Sequence, residues 1–424
     1  MPWTTTMEVM QSVRFVPLLC TLLCYPLTVS ADLEDSFNNA RDPRNPDLQR
    51  LVRSIRDLQS RGALPPELAD LVSRLDSTSD VIALRQRLIA LLPDVARQDF
   101  HKDRRQPIRA TRISNQNQNQ SRGQPPTPTS NWGDVLWLDS NADLAPRTDV
   151  WVQTWSNDSE QEDDIFEYTA DSTGWTFGID RELTDRWLLS ASIGSEDADI
   201  DSSIFGRDEV DSQSASVSLS YIQGQHSFSF GWLRTDAETD RVRVLFVPTD
   251  GGIRRFPLQS DFVTQQDVVQ ITYGTYFTVS ESFSIAPFLS ARYAWLETDD
   301  YIERGGDSLS LIVETEDEEQ ILGSAGVTFS WQHIGNTWSF APALTALVEH
   351  DFKSESTTTL SRFTGTDARF VTTGHDLSET RWRGAASITA LYRDRASFSL
   401  AYEAHVRDDY DYDGVILTAQ IRVD

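Results

Sequence analysis

Residues 214–232 read SASVSLSYIQGQHSFSFGW, and this stretch decides the fold class. On both sides of Gln223 and Gly224, apolar residues alternate with serine or glycine: Ala215, Val217, Leu219 and Tyr221, then Phe228, Phe230 and Trp232. Side chains that alternate with period two lie on opposite faces of a β-strand. Two such runs joined by a short turn predict a β-hairpin with one apolar and one polar face.

The same alternation recurs along the C-terminal two thirds of the chain. It predicts twelve strands, near 149–156, 171–181, 186–196, 210–222, 225–236, 264–279, 282–297, 317–332, 336–350, 379–393, 395–407 and 413–423. Several are longer than the usual strand of a soluble sheet. Short turns alternate with long connections, which are predicted as acidic loops at 157–170, 197–209, 237–263, 298–316 and 351–378.

These features together predict an all-β fold, a twelve-stranded antiparallel transmembrane β-barrel. A sheet in lipid must pair every backbone group and therefore closes on itself. Outer-membrane barrels have an even strand number, short periplasmic turns and long outer loops. The alternative is a soluble β-sandwich with an apolar core. The regular alternation of short and long connections favours the barrel, with both of its ends periplasmic.

The stretch from Asp149 to Asp236 resembles the opening of an autotransporter β-domain. The matching features are Trp151-Val152, then Gly174, Gly178 and Asp180, then Leu189 and Gly194 before an acidic run. The resemblance covers about 148–424 and implies a twelve-stranded translocator barrel in the outer membrane of a Gram-negative bacterium. The chain departs from the family in its short N-terminal segment and in ending with Asp424 rather than an aromatic residue.

The N-terminal part divides into three segments. Arg14 precedes the apolar run FVPLLCTLLCYPLTV, so residues 1–31 are predicted to be a signal peptide cleaved after Ala31. Residues 32–105 carry helical periodicity and are predicted to be a short helical segment, either a minimal passenger or a periplasmic arm. Residues 106–147 are rich in Gln, Asn, Pro and Ser and are predicted to be a low-complexity linker. The barrel then occupies residues 148–424.

Charge and cysteine content exclude several classes of function. Both cysteines, Cys20 and Cys24, lie in the predicted signal peptide, which excludes disulfides and thiolate sites from the mature chain. Residues 146–424 carry 20 Lys and Arg against 48 Asp and Glu, and this excess argues against nucleic acid as a partner. The expected partners are outer-membrane lipid and lipopolysaccharide, the barrel-assembly machinery, and divalent cations at acidic runs such as 159–164, 196–201 and 314–319. Plain solvation is the alternative for those runs.

No catalytic, cofactor-binding or metal site is predicted, and the chain is not expected to be an enzyme. The string GGDSL at 305–309 matches a lipase and esterase motif, but Ser308 falls in a predicted outer loop without the α/β domain that such chemistry needs. The histidines show no metal-ligand spacing. His375 in a loop and His405 in the lumen are the candidates for a rim site, and an inert histidine is the favoured alternative. Arg292, Arg381, Arg383 and Arg422 are expected to face the lumen, with Glu403 as a candidate partner.

The C-terminal stretch DDYDYDGVILTAQIRVD begins like a calcium-binding EF-hand loop, with Asp409, Asp411, Asp413 and Gly414. Position twelve of such a loop is Gln420 rather than glutamate, and the flanking residues alternate like strands. We therefore interpret Asp409 to Gly414 as a hairpin turn, followed by a closing strand that pairs with the first strand.

Two functions compete for this architecture. The first is an autotransporter-type barrel that anchors or translocates the short N-terminal segment across the outer membrane. The second is a non-secreting channel or an adhesin-like barrel with a periplasmic helical arm.

Overall fold

The computed structural model describes residues 46–76, 81–93, 148–161, 167–202, 206–249, 252–353, 357–374, 378–393, 395–407 and 410–423. Three helices come first: α1 (Pro46–Ser60), α2 (Pro66–Asp76) and α3 (Val81–Ile89). The strands are β1 (Thr148–Gln161), β2 (Tyr168–Glu182), β3 (Trp187–Ser202), β4 (Gly206–Gln223), β5 (His226–Thr249), β6 (Gly252–Thr275), β7 (Phe277–Ser280), β8 (Phe283–Thr298), β9 (Tyr301–Ile302), β10 (Leu311–Thr315), β11 (Glu318–Trp331), β12 (Trp338–Asp351), β13 (Thr358–Phe363), β14 (Arg369–Thr373), β15 (Thr380–Tyr392), β16 (Ala396–Arg407) and β17 (Tyr410–Val423).

The strands form a closed antiparallel barrel, as the sequence predicts. Neighbouring strands of the chain pair around the sheet, β8 pairs β11, and β17 pairs β1 from Thr148↔Val423 to Gln161↔Tyr410. Twelve long strands make the wall, while β7 extends the edge beside β8. The barrel therefore has two distinct ends. We call the end with Thr148, Val423 and the short turns the turn end, and the opposite end the loop end.

Side chains of the wall alternate as the hairpin at 214–232 predicts. Phe228 and Phe230 are each half exposed on the outside, whereas Ser227 and Ser229 are buried on the inside. The same outward exposure is found for further aromatic residues of the wall: Trp175, Trp187, Trp295, Trp338, Trp382 and Tyr402. An apolar outside and a polar inside are what a barrel in lipid requires. None of the described helices is long and apolar enough to span a membrane.

Three of the predicted acidic loops are wrong. Residues 157–170, 197–209 and 237–263 lie largely within strands, because the wall continues well past the apolar band at the loop end. The hairpin β5–β6 is longest, with 24 residues in each strand. The inward side chains of these extensions are buried, and they include the charged residues Asp208, Arg241 and Arg243, whereas many of the outward side chains are acidic. Alternation therefore persists while the outer face changes from apolar to charged.

The other two predicted loops carry a second sheet at the loop end. Its four strands run in the order β14-β13-β10-β9. We call this the outer sheet. A short 3-10 turn, Asp307–Leu309, precedes β10.

The helical segment packs against the outer sheet and the loop end of the wall. Leucines at helix-face spacing, such as Leu51, Leu58 and Leu68, are fully buried. They belong to one apolar cluster with Val313 and Phe363 of the outer sheet, and with residues of the wall such as Leu245, Leu258 and Tyr412. The helices therefore share one continuous core with the loop end of the barrel.

Candidate functional site

On the lumen side of β1 and β2, two tryptophan rings lie over two glycines of the neighbouring strand. In the β1–β2 register Trp151 pairs with Gly178 and Trp155 pairs with Gly174. A Cβ atom added at either glycine would lie 2.3 Å from the indole ring opposite. The indole N–H of Trp151 donates to Asp180 at 3.1 Å. The W-x-x-x-W and G-x-x-x-G-x-D spacings are thus two halves of one cross-strand contact, in which each glycine leaves room for a ring.

A charged cluster lies further along the lumen wall. Glu349 of β12 accepts from Arg381 at 2.6 Å and from Arg383 at 3.0 Å, both on β15. All three side chains are buried. Such a pair of buried guanidinium groups requires a nearby carboxylate, since an unpaired charge in this position is strongly destabilising.

His405 faces the lumen, as expected, and belongs to the same cluster. Its Nε2 accepts from the Arg383 Nε at 2.8 Å, and its ring stacks on Tyr412 with centroids 4.2 Å apart. The Tyr412 hydroxyl donates to Glu403 at 2.9 Å. The sequence suggested Glu403 as the partner of the lumen arginines. Among the described ion pairs, the carboxylate partner of Arg381 and Arg383 is Glu349, while Arg292 donates to Gln320.

The mouth of the barrel holds the C-terminal turn of α3. Arg243 of β5 donates to the carbonyl oxygen of Ala90, and its Nε donates to Glu303 at 2.7 Å. Arg243 and Glu303 are almost fully buried. A second carboxylate contact comes from the backbone N–H of Leu311, which donates to Glu303 at 2.9 Å. One buried ion pair thus connects the wall, the outer sheet and the helical segment, and we call it the latch.

A second buried ion pair lies beside the latch. Arg241 binds Asp208 at 2.7 Å, donates to the Tyr301 hydroxyl, and lies over the ring of Phe262 at 5.1 Å from its centroid. The rings of Phe262 and Tyr301 are themselves stacked, with centroids 4.8 Å apart. The ion pair and the cation–π contact are each stronger here than on the surface, because water is excluded.

Helix α1 covers the free edge of the outer sheet. The N–H of Thr373 in the edge strand β14 donates to Asp47 at 3.1 Å, and Arg50 donates to the Thr373 hydroxyl at 3.0 Å. Asp47 and Arg50 are themselves paired at 2.8 Å. Burial raises the pKa of the Asp47 carboxyl, although the Thr373 N–H and the Arg50 charge oppose that rise. An exposed strand edge presents unpaired backbone groups that can pair with another chain. Asp47 binds one of these groups on β14, the N–H of Thr373.

Two further contacts fix the helical segment from its outer side. Arg61 forms a two-pronged ion pair with Asp367, which lowers the pKa of that carboxyl. The Ser308 hydroxyl donates to Glu67 of α2 at 2.7 Å. The serine of the GGDSL string therefore contacts a glutamate at a packing interface, while His375 lies outside the described residues.

The outward face of the loop end carries a continuous row of carboxylates. In the pairing registers these side chains stand directly opposite one another on seven successive strands: Asp413, Asp158, Asp171, Asp199, Glu209, Asp240 and Asp261. Neighbours in such a row are about 5 Å apart, and like charges at that distance are destabilising. Within the described residues no group of three or more metal-binding side chains has the arrangement of a metal site.

The C-terminal stretch lies partly in this row, and its interpretation as a turn is wrong. Asp411 and Asp413 belong to strand β17, which begins at Tyr410, and only Asp409 lies outside the described residues. Gly414 faces inward beside Asn157, where an added Cβ would approach the Asn157 Cβ to 3.0 Å. The prediction that this strand closes the barrel against the first strand is confirmed.

A closed barrel with an apolar outside, a polar lumen and short turns at one end defines a transmembrane barrel of the outer membrane. Comparison with known proteins gives the family. Residues 150–403 match the model of the autotransporter β-domain. The chain belongs to this family, and its place is the outer membrane of a Gram-negative bacterium. The family is a translocator family and is not itself enzymatic.

Individual relatives agree with this assignment. The chain is 21% identical over 278 residues to outer membrane protein A of Rickettsia conorii, and 21% identical over 281 residues to the protein of that name in Rickettsia rickettsii. These alignments cover 63% of this chain but only 14% and 12% of the relatives. The translocator domain of the autotransporter NalP from Neisseria meningitidis superposes with a TM-score of 0.52 at 14% identity, covering 65% of this chain and 88% of that one.

Proposed function

We propose that this barrel delivers its own helical segment, residues 46–93, to the cell surface and keeps it there as a cap on its outer mouth. The observation that carries the proposal is the shared core of the helices and the loop end. In outer-membrane barrels the short turns are periplasmic and the opposite end is extracellular. A segment packed on the loop end is therefore on the outside.

Chain continuity supports a route through the lumen. The chain leaves α3 at the loop end and enters β1 at Thr148, at the turn end. Residues 94–147 join these two points, and their sequence is polar, so the lipid side of the wall is closed to them. Strands such as β1 and β8, with 14 and 16 residues, span the wall, and an extended chain needs a similar number to cross the lumen. On the lipid side, the backbone N–H and C=O groups of this connection would have no hydrogen-bond partners, and each such group costs free energy.

The latch supports retention rather than release. Arg243 and Glu303 are both buried, and Arg243 also donates to the carbonyl oxygens of Ala90 and Leu92 at the end of the helical segment. We infer that the docked segment is an anchored cap without a catalytic site of its own. Outer-membrane lipid, lipopolysaccharide and the barrel-assembly machinery remain its proposed partners, in keeping with the apolar band and the closed barrel.

Replacing Arg243 by alanine tests this proposal in intact cells. The change leaves Glu303 buried without its guanidinium partner, which weakens docking by about 3 kcal/mol. Cleavage that follows the open population then accelerates more than about tenfold. We expect externally added trypsin to cut at the arginines of 46–93 much faster in this variant than in the unaltered chain.

Arg304→Ala is the matched control, because Arg304 is an exposed arginine at the same end whose ion pair with Asp261 lies on the surface. It is expected to leave the cleavage rate unchanged. If trypsin never reaches the helical segment of Arg243→Ala in intact cells, but does so after lysis, the segment is periplasmic and the proposal is wrong.

A further inference from the structure

The helical segment and the outer sheet enclose a groove rich in arginine. Its volume is about 650 Å³, and α1 forms one wall and β14 the other. The charged residues of its lining are Arg50, Arg53, Asp57, Arg61, Asp367 and Arg369. On α1 these residues recur at helical spacing, so they lie on a single face turned toward the outer sheet.

Most of the groove arginines are held in place by neighbours and remain partly exposed. Arg61 is fixed by Asp57 and Asp367 with 41% of its side chain exposed, and Arg369 is fixed by Glu314 with 51% exposed. A guanidinium group has five donors, so the single carboxylate partner of Arg369 leaves further N–H groups free to bind a ligand, whereas all three nitrogens of Arg61 already donate to Asp57 or Asp367. Arg369 is therefore positioned in advance with free donors, while Arg61 fixes the shape of the groove through its ion pairs.

Arg53 is the exception among them. It lies between Arg50 and Asp57 on the same helix face, and within the described residues no hydrogen bond or ion pair of its side chain occurs. The protein as a whole carries a net charge of −28, and its outer wall carries the acidic row described above. An unpaired arginine among three fixed ones, on so acidic a surface, points to an anionic ligand.

We propose that this groove binds an acidic saccharide, a sugar chain that carries sulfate, phosphate or carboxylate groups and reaches the cell from outside. Guanidinium groups bind such oxyanions with two parallel hydrogen bonds. Asp57 and Asp367 are acceptors for the hydroxyl groups of the same sugar. A volume of this size is in the range of small-molecule sites. This inference rests on the proposed function, because the docked α1 forms one wall.

The groove runs toward the part of the outer sheet that is farthest from the membrane. Thr373 and Thr358 pair at the barrel end of the β13–β14 hairpin, and Arg61 meets Asp367 at its tip. A sugar chain presented from the medium reaches this tip directly. The phosphates of surrounding lipopolysaccharide instead lie outside the wall, beside the apolar band.

Binding of defined probes to the purified full chain in detergent tests the inference. The probes are a heparin-derived hexasaccharide, the same compound after chemical desulfation, and a phosphorylated core oligosaccharide from lipopolysaccharide. We expect the sulfated probe to bind, and the desulfated probe to bind about tenfold weaker or worse, because the charged hydrogen bonds are lost. We expect Arg53→Ala to weaken binding of the sulfated probe by about tenfold and Arg53→Glu to abolish it.

Arg304→Ala is again the control and should bind like the unaltered chain. Equal binding of both hexasaccharides, or an equal loss in Arg53→Ala and Arg304→Ala, would overturn the inference. Tighter binding of the core oligosaccharide than of the sulfated hexasaccharide would contradict an external sugar as the ligand and would identify the cell's own lipopolysaccharide instead. Protection of residues 46–93 from trypsin is recorded on the same samples. If residues 46–93 are protected but the sulfated hexasaccharide does not bind, only the saccharide site is refuted. If residues 46–93 are cut as fast as an unfolded segment, the docked cap itself is refuted.

Discussion

Gly178→Val is expected to prevent most of the chain from reaching the folded barrel. An added Cβ would lie 2.3 Å from the ring of Trp151, which is buried, so the ring would have to shift. The same shift would break the hydrogen bond from Trp151 to Asp180. Overpacking of this kind destabilises by about 1–3 kcal/mol, and by more where backbone and ring cannot both adjust. The folded fraction is measured by the heat-dependent mobility of the barrel in detergent gels and by its urea midpoint.

Gly384→Val provides the control for this prediction. Gly384 lies in β15, and the nearest atom to an added Cβ is 3.9 Å away. Valine also favours strands, so this variant should fold at least as well as the unaltered barrel. Trp151→Ala combined with Gly178→Val should recover part of the lost folding, because the smaller side chain removes the clash. Equal folding of the two glycine variants would contradict the ring-on-glycine contact.

Glu349→Ala is expected to produce the second large effect. It removes the carboxylate that Arg381 and Arg383 both contact, at 2.6 and 3.0 Å, from a buried part of the lumen wall. Removing one partner of a buried ion pair destabilises by about 3–5 kcal/mol. The urea midpoint of the folded barrel should therefore fall sharply, and Glu349→Gln should fall between the alanine variant and the unaltered chain.

The matched control removes a carboxylate from the outward row. Asp240 stands opposite Glu209 and Asp261, so Asp240→Asn relieves repulsion between like charges. We expect its stability to stay the same or rise by a few tenths of a kcal/mol. A similar loss of stability in Asp240→Asn and Glu349→Ala would mean that acidic residues stabilise the barrel wherever they lie, and that the lumen cluster has no special role.

The sequence predicts the wall of the barrel well, because every second residue of a strand in lipid faces the lipid and is apolar. The hairpin at 214–232 and the pairing of the last strand with the first are both confirmed. The predicted strands end too early at the loop end for a physical reason. Beyond the apolar band the outward residues become acidic, as at Asp236 and Asp240, and only the inward residues keep the alternation visible.

The remaining features depend on contacts between residues far apart in the chain. The spacing of Trp151 and Gly178 was visible as a motif, but only the strand register places one on the other. Glu349 lies opposite Arg381 across two strands, and no local pattern marks it as the partner of the lumen arginines. Docking of the helices on the outer sheet joins Asp47 to Thr373, which no periodicity could indicate.

The most direct test of the cap is the side of the membrane on which the helical segment lies. Ala63 is exposed in the turn between α1 and α2, so a cysteine at this position can react with a maleimide that does not cross membranes. Asp185→Cys, in a short turn, marks the periplasmic side, and Arg304→Cys marks the outer side. We predict that Ala63→Cys is labelled in intact cells to the same extent as Arg304→Cys, while Asp185→Cys is labelled only after lysis. Labelling of Ala63→Cys only after lysis would contradict the account.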